Sequence, residues 1–184
     1  MQKLFCLLLC LGLGRPAFSQ QGRAWALDAQ TQRITFEGTC LVAGASQSEL
    51  AARTRSWAGA RRPATKPLVV AAAPETGVAV LTGTEEMLYP TPTQLVRVPL
   101  HYTLTLTLEA GSYHYRATDF VVETAGSPAP VYVPAETFLA QVPAAAGPNY
   151  PYLVRTAFEE ATAQLLGSLQ AQLTPAPTQP LQAD

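Results

Sequence analysis

Residues 98 to 124 constrain the fold of this chain more than any other stretch. Val98 to Glu109 and Ser112 to Thr124 are two long runs of alternating apolar and polar residues that meet at Ala110-Gly111. Period-two alternation marks a half-buried strand, and a two-residue connection makes the two runs a hairpin. That connection sets Leu108 against Tyr113, Leu106 against Tyr115 and Leu104 against Ala117. Every partner on that face is apolar, so pattern and turn agree on one register. The opposite face carries Thr103, Thr105, Thr107, His114, Arg116 and Thr118. Strict alternation beyond Thr118 would turn Asp119 inward and Phe120 outward. A β-bulge near Thr118 or Asp119 reverses that, and is predicted here.

Other elements follow by the same logic. Ile34, Phe36, Cys40 and Val42 share one face of an earlier strand, with Thr35, Glu37 and Thr39 on the other. Cys40 falls on the apolar face and reads as a small buried hydrophobe. Ser46-Gln47-Ser48-Glu49 is a capping box that opens a helix. The helix runs to about Ala58, with Leu50, Thr54, Trp57 and Ala58 in one stripe. Gly59 and Pro63 stop it. Leu68 to Ala73 and Val78 to Met87 read as two more strands, with Gly83 as a bulge position. Tyr89 to Thr93 is a proline loop. Residues 126–150 form an Ala/Pro-rich connection, with room for a helical turn over Pro134 to Gln141. Pro151 suits a first helical position. A helix then spans residues 151–173, with Val154, Phe158, Ala161, Leu165 and Leu169 as its apolar stripe. Residues 174–184 read as a disordered tail.

The chain begins with Lys3, an apolar run from Leu4 to Leu13, and small residues at Ala17 and Ser19. This is the pattern of a secretory signal peptide over residues 1–19. The apolar run is about half the length a membrane-spanning helix needs, so no transmembrane helix is expected. Leu9 precedes Cys10 where a lipoprotein signal would carry a small residue. Cleavage removes Cys6 and Cys10 and leaves Cys40 alone, so no disulfide can close within the mature chain. The expected location is exported: periplasm, cell envelope or medium.

Strand, helix, four strands, helix is the resulting order, and both helices have a single apolar stripe. An antiparallel sheet with both helices on one face buries all of these stripes together. At this point the chain resembles an exported bacterial family, domain-of-unknown-function family 4468, described as having a TATA-binding-protein-like (TBP-like) fold. Ile34-Thr35-Phe36 after a polar lead-in, the capped helix ending at Trp57, His101 to Leu106, and Tyr113 to Phe120 carry the resemblance. Thr118-Asp119-Phe120 is its most specific part. The likeness covers residues 27–125 as an α+β domain, with the 151–173 helix packing on the same sheet. It implies the fold and export, and no catalytic residue, cofactor or metal.

The residues themselves limit the chemistry. Without Lys3 and Arg15, ten Lys and Arg face thirteen Asp and Glu, a net charge of about minus three. That balance opposes nucleic-acid binding, as does a sheet face with Arg116 as its one arginine. His101 and His114 lie six strand positions apart in the hairpin register, on the order of 20 Å. One metal ion cannot bridge them. Asp119 with Glu123, or with Glu85 and Glu86, is the one carboxylate pairing for a hydrolase; a bulge role for Asp119 competes with it. Arg53, Arg55, Arg61, Arg62 and Lys66 form a candidate anion-facing patch, since no acid lies between Glu49 and Glu75. Cations at a solvated helix end account for the same cluster. The leading expectation is a non-enzymatic envelope or secreted module that binds an unknown protein or envelope component. A hydrolase with an unrecognised carboxylate site, and a self-associating envelope protein, are the alternatives.

Overall fold

The computed structural model describes residues 27–61, 68–73, 77–91, 93–142 and 149–174. The signal segment, Arg62, Lys66 and the tail beyond residue 174 lie outside these described residues. The elements are β1 (Phe36–Leu41), α1 (Gln47–Ala60), β2 (Leu68–Ala73), β3 (Val78–Pro90), β4 (Leu95–Glu109), β5 (Ser112–Thr124), β6 (Val131–Pro134), α2 (Ala135–Ala140) and α3 (Tyr150–Leu173).

The β4–β5 hairpin is the centre of the sheet. Leu108, Leu106 and Leu104 pair with Tyr113, Tyr115 and Ala117, and Gly111 closes the turn at φ +82°, where a Cβ would be strained. The antiparallel sheet runs β1-β5-β4-β3-β2, with β6 also on β5. β1 takes one edge of β5 from Ser112 to Ala117, and β6 takes the same edge from Val121 to Thr124. The bulge falls between them. Thr103 pairs with Thr118, but His101 pairs with Val121, so β5 spends one extra residue there. Asp119 takes φ +52° and is exposed, while Phe120 is fully buried. The inversion expected from the sequence is thus present.

One face of the sheet is covered. Leu100, Tyr102, Leu104, Leu106 and Leu108 of β4 join Tyr113, Ala117, Phe120 and Val122 of β5 in a single core with α1 and α3. α1 contributes Leu50, Thr54, Trp57 and Ala58. Its cap is half of a capping box. The Glu49 N–H donates to Ser46 Oγ at 3.2 Å, but the Glu49 carboxylate turns to Arg53. α3 closes the core. Phe158 meets Phe120 edge-on with ring centroids 5.4 Å apart, and Phe120 meets Phe36 at 5.7 Å. Aromatic pairs in this geometry add about 1 kcal/mol each beyond area burial. Trp57 Nε1 donates to Ser168 Oγ at 3.1 Å, and Arg53 Nη1 donates to the Leu173 carbonyl at 2.7 Å. The second contact places a cation at the negative end of α3.

Three expectations need correction. Gly83 is not a bulge: β3 and β4 pair without a register shift, and Gly83 faces Tyr102. A Cβ at Gly83 would stand 2.4 Å from the Tyr102 hydroxyl, so the glycine makes room for the ring. Gly38, opposite Tyr115, repeats the device. The Pro-rich connection holds the strand β6, which the sequence reading missed, before the helical turn it expected, which is α2. β3 continues through Tyr89 to Pro90, because Tyr89 packs against Phe138 and Tyr150 and extends the covered face.

Candidate functional site

The second face of the sheet is uncovered, and polar side chains dominate it, with Val78, Val80, Leu88 and Val121 interspersed among them. Thr82 and Thr84 of β3 stand beside Thr103 and His101 of β4. Thr105 and Thr107 continue the row against Arg116 and His114 of β5. Most are half-buried, and several side chains of this face are hydrogen-bonded to a neighbour. His114 Nδ1 lies 3.2 Å from Thr39 Oγ1, and the Thr35 and Thr118 hydroxyls are 3.5 Å apart. Arg116 donates to Asp28 at 2.7 Å. Asp28 also accepts the Thr31 backbone N–H and hydroxyl. These bonds, Thr31 first, hold its carboxyl down at about 2.

The densest cluster surrounds His101. Its Nε2 lies 2.8 Å from Glu123 Oε2, and its Nδ1 lies 3.1 Å from Thr84 Oγ1. An ionised carboxylate can only accept. In the neutral ring Nε2–H therefore donates to Glu123, and Nδ1 accepts from the Thr84 hydroxyl. The Tyr132 ring, delivered by β6, stands against the imidazole with centroids 5.5 Å apart. Tyr132 remains 58% exposed. Three elements, β3, β5 and β6, thus converge on one side chain of β4.

Beside His101 is a shallow, open depression of about 350 Å³, bounded by Thr82, Thr84, Thr103 and Asp119, with Gly83 and Tyr102 in its lining. The depression lies where the bulge lifts Asp119 from the strand. Below it, Tyr102 points into the covered face, and burial pushes its phenol up to about 12. The phenol is neutral at any physiological pH.

Hydroxyl, imidazole and carboxylate in a row invite comparison with nucleophilic catalysis. That chemistry also needs donors aimed at a developing oxyanion. The charged side chain lining this depression is the Asp119 carboxylate, which opposes negative charge. Of the residues proposed from sequence as a carboxylate pair, Glu85 and Glu86 take opposite faces of the sheet. Glu85 turns into the covered side and Glu86 outward to Arg97. Glu123 is engaged with His101.

The basic cluster is also dispersed where it is described. Arg61 is not a surface cation: it forms an ion pair with Glu85, with side chains 11% and 7% exposed. It also donates to Ser168 and lies over the Trp57 ring at 5.0 Å. Arg53 is engaged with Glu49 and the end of α3, and Arg55 is exposed. Among the described residues no group of three His, Cys, Asp or Glu side chains could hold a metal ion. Nor is any helix long and apolar enough to cross a membrane.

No protein-family model matches the sequence, and no curated protein matches it. Solved structures do. A TBP-like protein from Parabacteroides distasonis ATCC 8503 superposes with a TM-score of 0.55 at 13% identity, over 79% of this chain and 98% of that one. A DUF4468 family protein from Bacteroides ovatus ATCC 8483 gives 0.54 at 15% identity, over 80% of this chain and 90% of that one. Sheet order, helix placement and these likenesses agree: the chain has the TBP-like α+β fold.

Proposed function

We propose that this chain is an exported, non-enzymatic binding module that engages a partner of the cell envelope through its open sheet face. The observation that carries the reading is the asymmetry of the sheet. One face is sealed by α1 and α3, while the other presents hydrogen-bonded Thr, His, Glu and Arg side chains around a depression. The side chains already held by hydrogen bonds, His101 between Thr84 and Glu123 above all, lose little entropy on binding. The signal-like residues 1–19 support export. Self-association through α1 has less to recommend it, because Trp57 is 4% exposed and faces the core.

Site-specific photo-cross-linking in the native cell tests the reading. A photoreactive residue at Thr103 should give discrete adducts from the envelope fraction. One at Ala52, exposed on α1, should give none. Adducts from Ala52 alone would refute the open face as the binding surface.

A further inference from the structure

We infer that the depression at the β5 bulge, together with the exposed ring of Tyr132 across His101, is a subsite for a neutral saccharide. This inference rests on the open-face reading and names the chemistry it serves.

Four observations converge. Asp119 holds a left-handed backbone, uncommon for a residue with a Cβ, at the rim of the depression. Its carboxylate has no hydrogen-bond or ionic partner among the described residues, and neither do the Thr82 and Thr103 hydroxyls. Two donor-acceptor hydroxyls and one acceptor therefore line a single concavity. The His101 ring is fixed at both nitrogens by Thr84 and Glu123. Tyr132 then offers an aromatic surface, 58% exposed, next to that fixed wall.

Other ligand classes fit less well. An anion would meet Asp119 and no cation. A metal ion would find both imidazole nitrogens occupied. An extended peptide would need a free strand edge, but the depression lies over β3, β4 and β5, in the middle of the sheet. An acyl chain would need an apolar groove, and the concavity is bounded by hydroxyls and a carboxylate. One sugar ring has hydroxyls for Asp119, Thr82 and Thr103 in the depression, and a neighbouring ring of the same oligosaccharide has a C–H face for Tyr132 beyond His101.

The test is NMR titration of the full-length mature chain with neutral oligosaccharides, namely gluco-, manno- and xylo-oligomers and oligomers of N-acetylglucosamine. Nα-acetyl-lysine and inorganic phosphate serve as charged controls. At least one oligosaccharide should shift the amides of residues 82–84, 101–103, 119 and 132 with Kd on the order of 1 mM or tighter. Asp119→Asn keeps a residue tolerant of positive φ and should weaken binding about tenfold at unchanged Tm. Tyr132→Ala should do the same, while Tyr132→Phe should bind as the parent does. Shifts with Nα-acetyl-lysine or phosphate alone, shifts elsewhere on the surface, or no shift with any oligosaccharide overturn the inference. Photo-adducts to protein from Thr103 without any saccharide response would leave the open-face reading standing and remove the sugar. Silence in both experiments would remove both.

Discussion

Arg61→Ala should destabilise the chain severely, and the reason is Glu85. The Glu85 side chain is 7% exposed and faces the covered side of the sheet. Its charge is balanced there by the Arg61 guanidinium, whose pKa is itself lowered by burial. Breaking a buried pair from one side strands the other charge, at a cost of about 3–5 kcal/mol. Total stability for such a domain is about 5–15 kcal/mol, so about a fifth or more would be lost. For a domain of this size each kcal/mol moves Tm by roughly 3 °C, giving a fall of about 10 °C. Replacing both partners, Arg61→Met with Glu85→Leu, removes the stranded charge and fills similar volume. The double variant should return to within about 1 kcal/mol of the parent or exceed it. Urea unfolding followed by circular dichroism measures Arg61→Ala, the singles Arg61→Met and Glu85→Leu, and the double variant, and an unchanged m-value keeps the comparison valid. A single-variant loss below about 1 kcal/mol, or a double-variant loss equal to the sum of the singles, would refute the buried pair.

Other consequences are open to measurement. Gly83→Ala should cost about 1–3 kcal/mol by overpacking against the Tyr102 hydroxyl 2.4 Å from the new Cβ, and Tyr102→Leu should relieve much of that cost; equal losses in both backgrounds would contradict the contact. Phe158→Ala should cost about 3–5 kcal/mol in urea unfolding, since this fully buried ring joins α3 to Phe120 and Phe36; a near-neutral result would detach α3 from the core. Asp28 has a folded pKa of about 2, below its unfolded value, so its contribution is present above about pH 4 and is lost as pH falls through about 2. Asp28→Asn should flatten the acid limb of stability in that window, and an NMR midpoint near 4 for this carboxyl would contradict the turn geometry.

The hairpin was legible because two independent signals, alternation and a glycine turn, demand the same register. The bulge was legible because Asp119 and Phe120 are too unlike to be misplaced. α1 and α3 could be read from caps and stripes at helical spacing. β6 was hidden, since four residues ending in Pro134 carry too few alternations to stand out from an Ala/Pro connection. Gly83 was ambiguous for a physical reason. A glycine inside a strand signals either a bulge or a close approach, and only the cross-strand identity of Tyr102 separates them. The His101 cluster needed one further step in register. Once the bulge shifts β5 by one residue, His101 opposes Val121, and Glu123 becomes its diagonal neighbour on the open face. Tyr132 had no such signal, because its place depends on β6. The inward turn of Arg61 was equally silent, for helix ends show charge in the sequence without showing direction.

Covering the open face tests the central claim most directly. Thr82→Tyr with Thr103→Tyr would fill the depression with rings while keeping strand propensity and leaving the core untouched. Retention of this double variant by the native envelope fraction, compared with the parent at equal Tm, is the measurement. Loss of retention is the predicted result, and retention equal to the parent would contradict the assignment of function to this face.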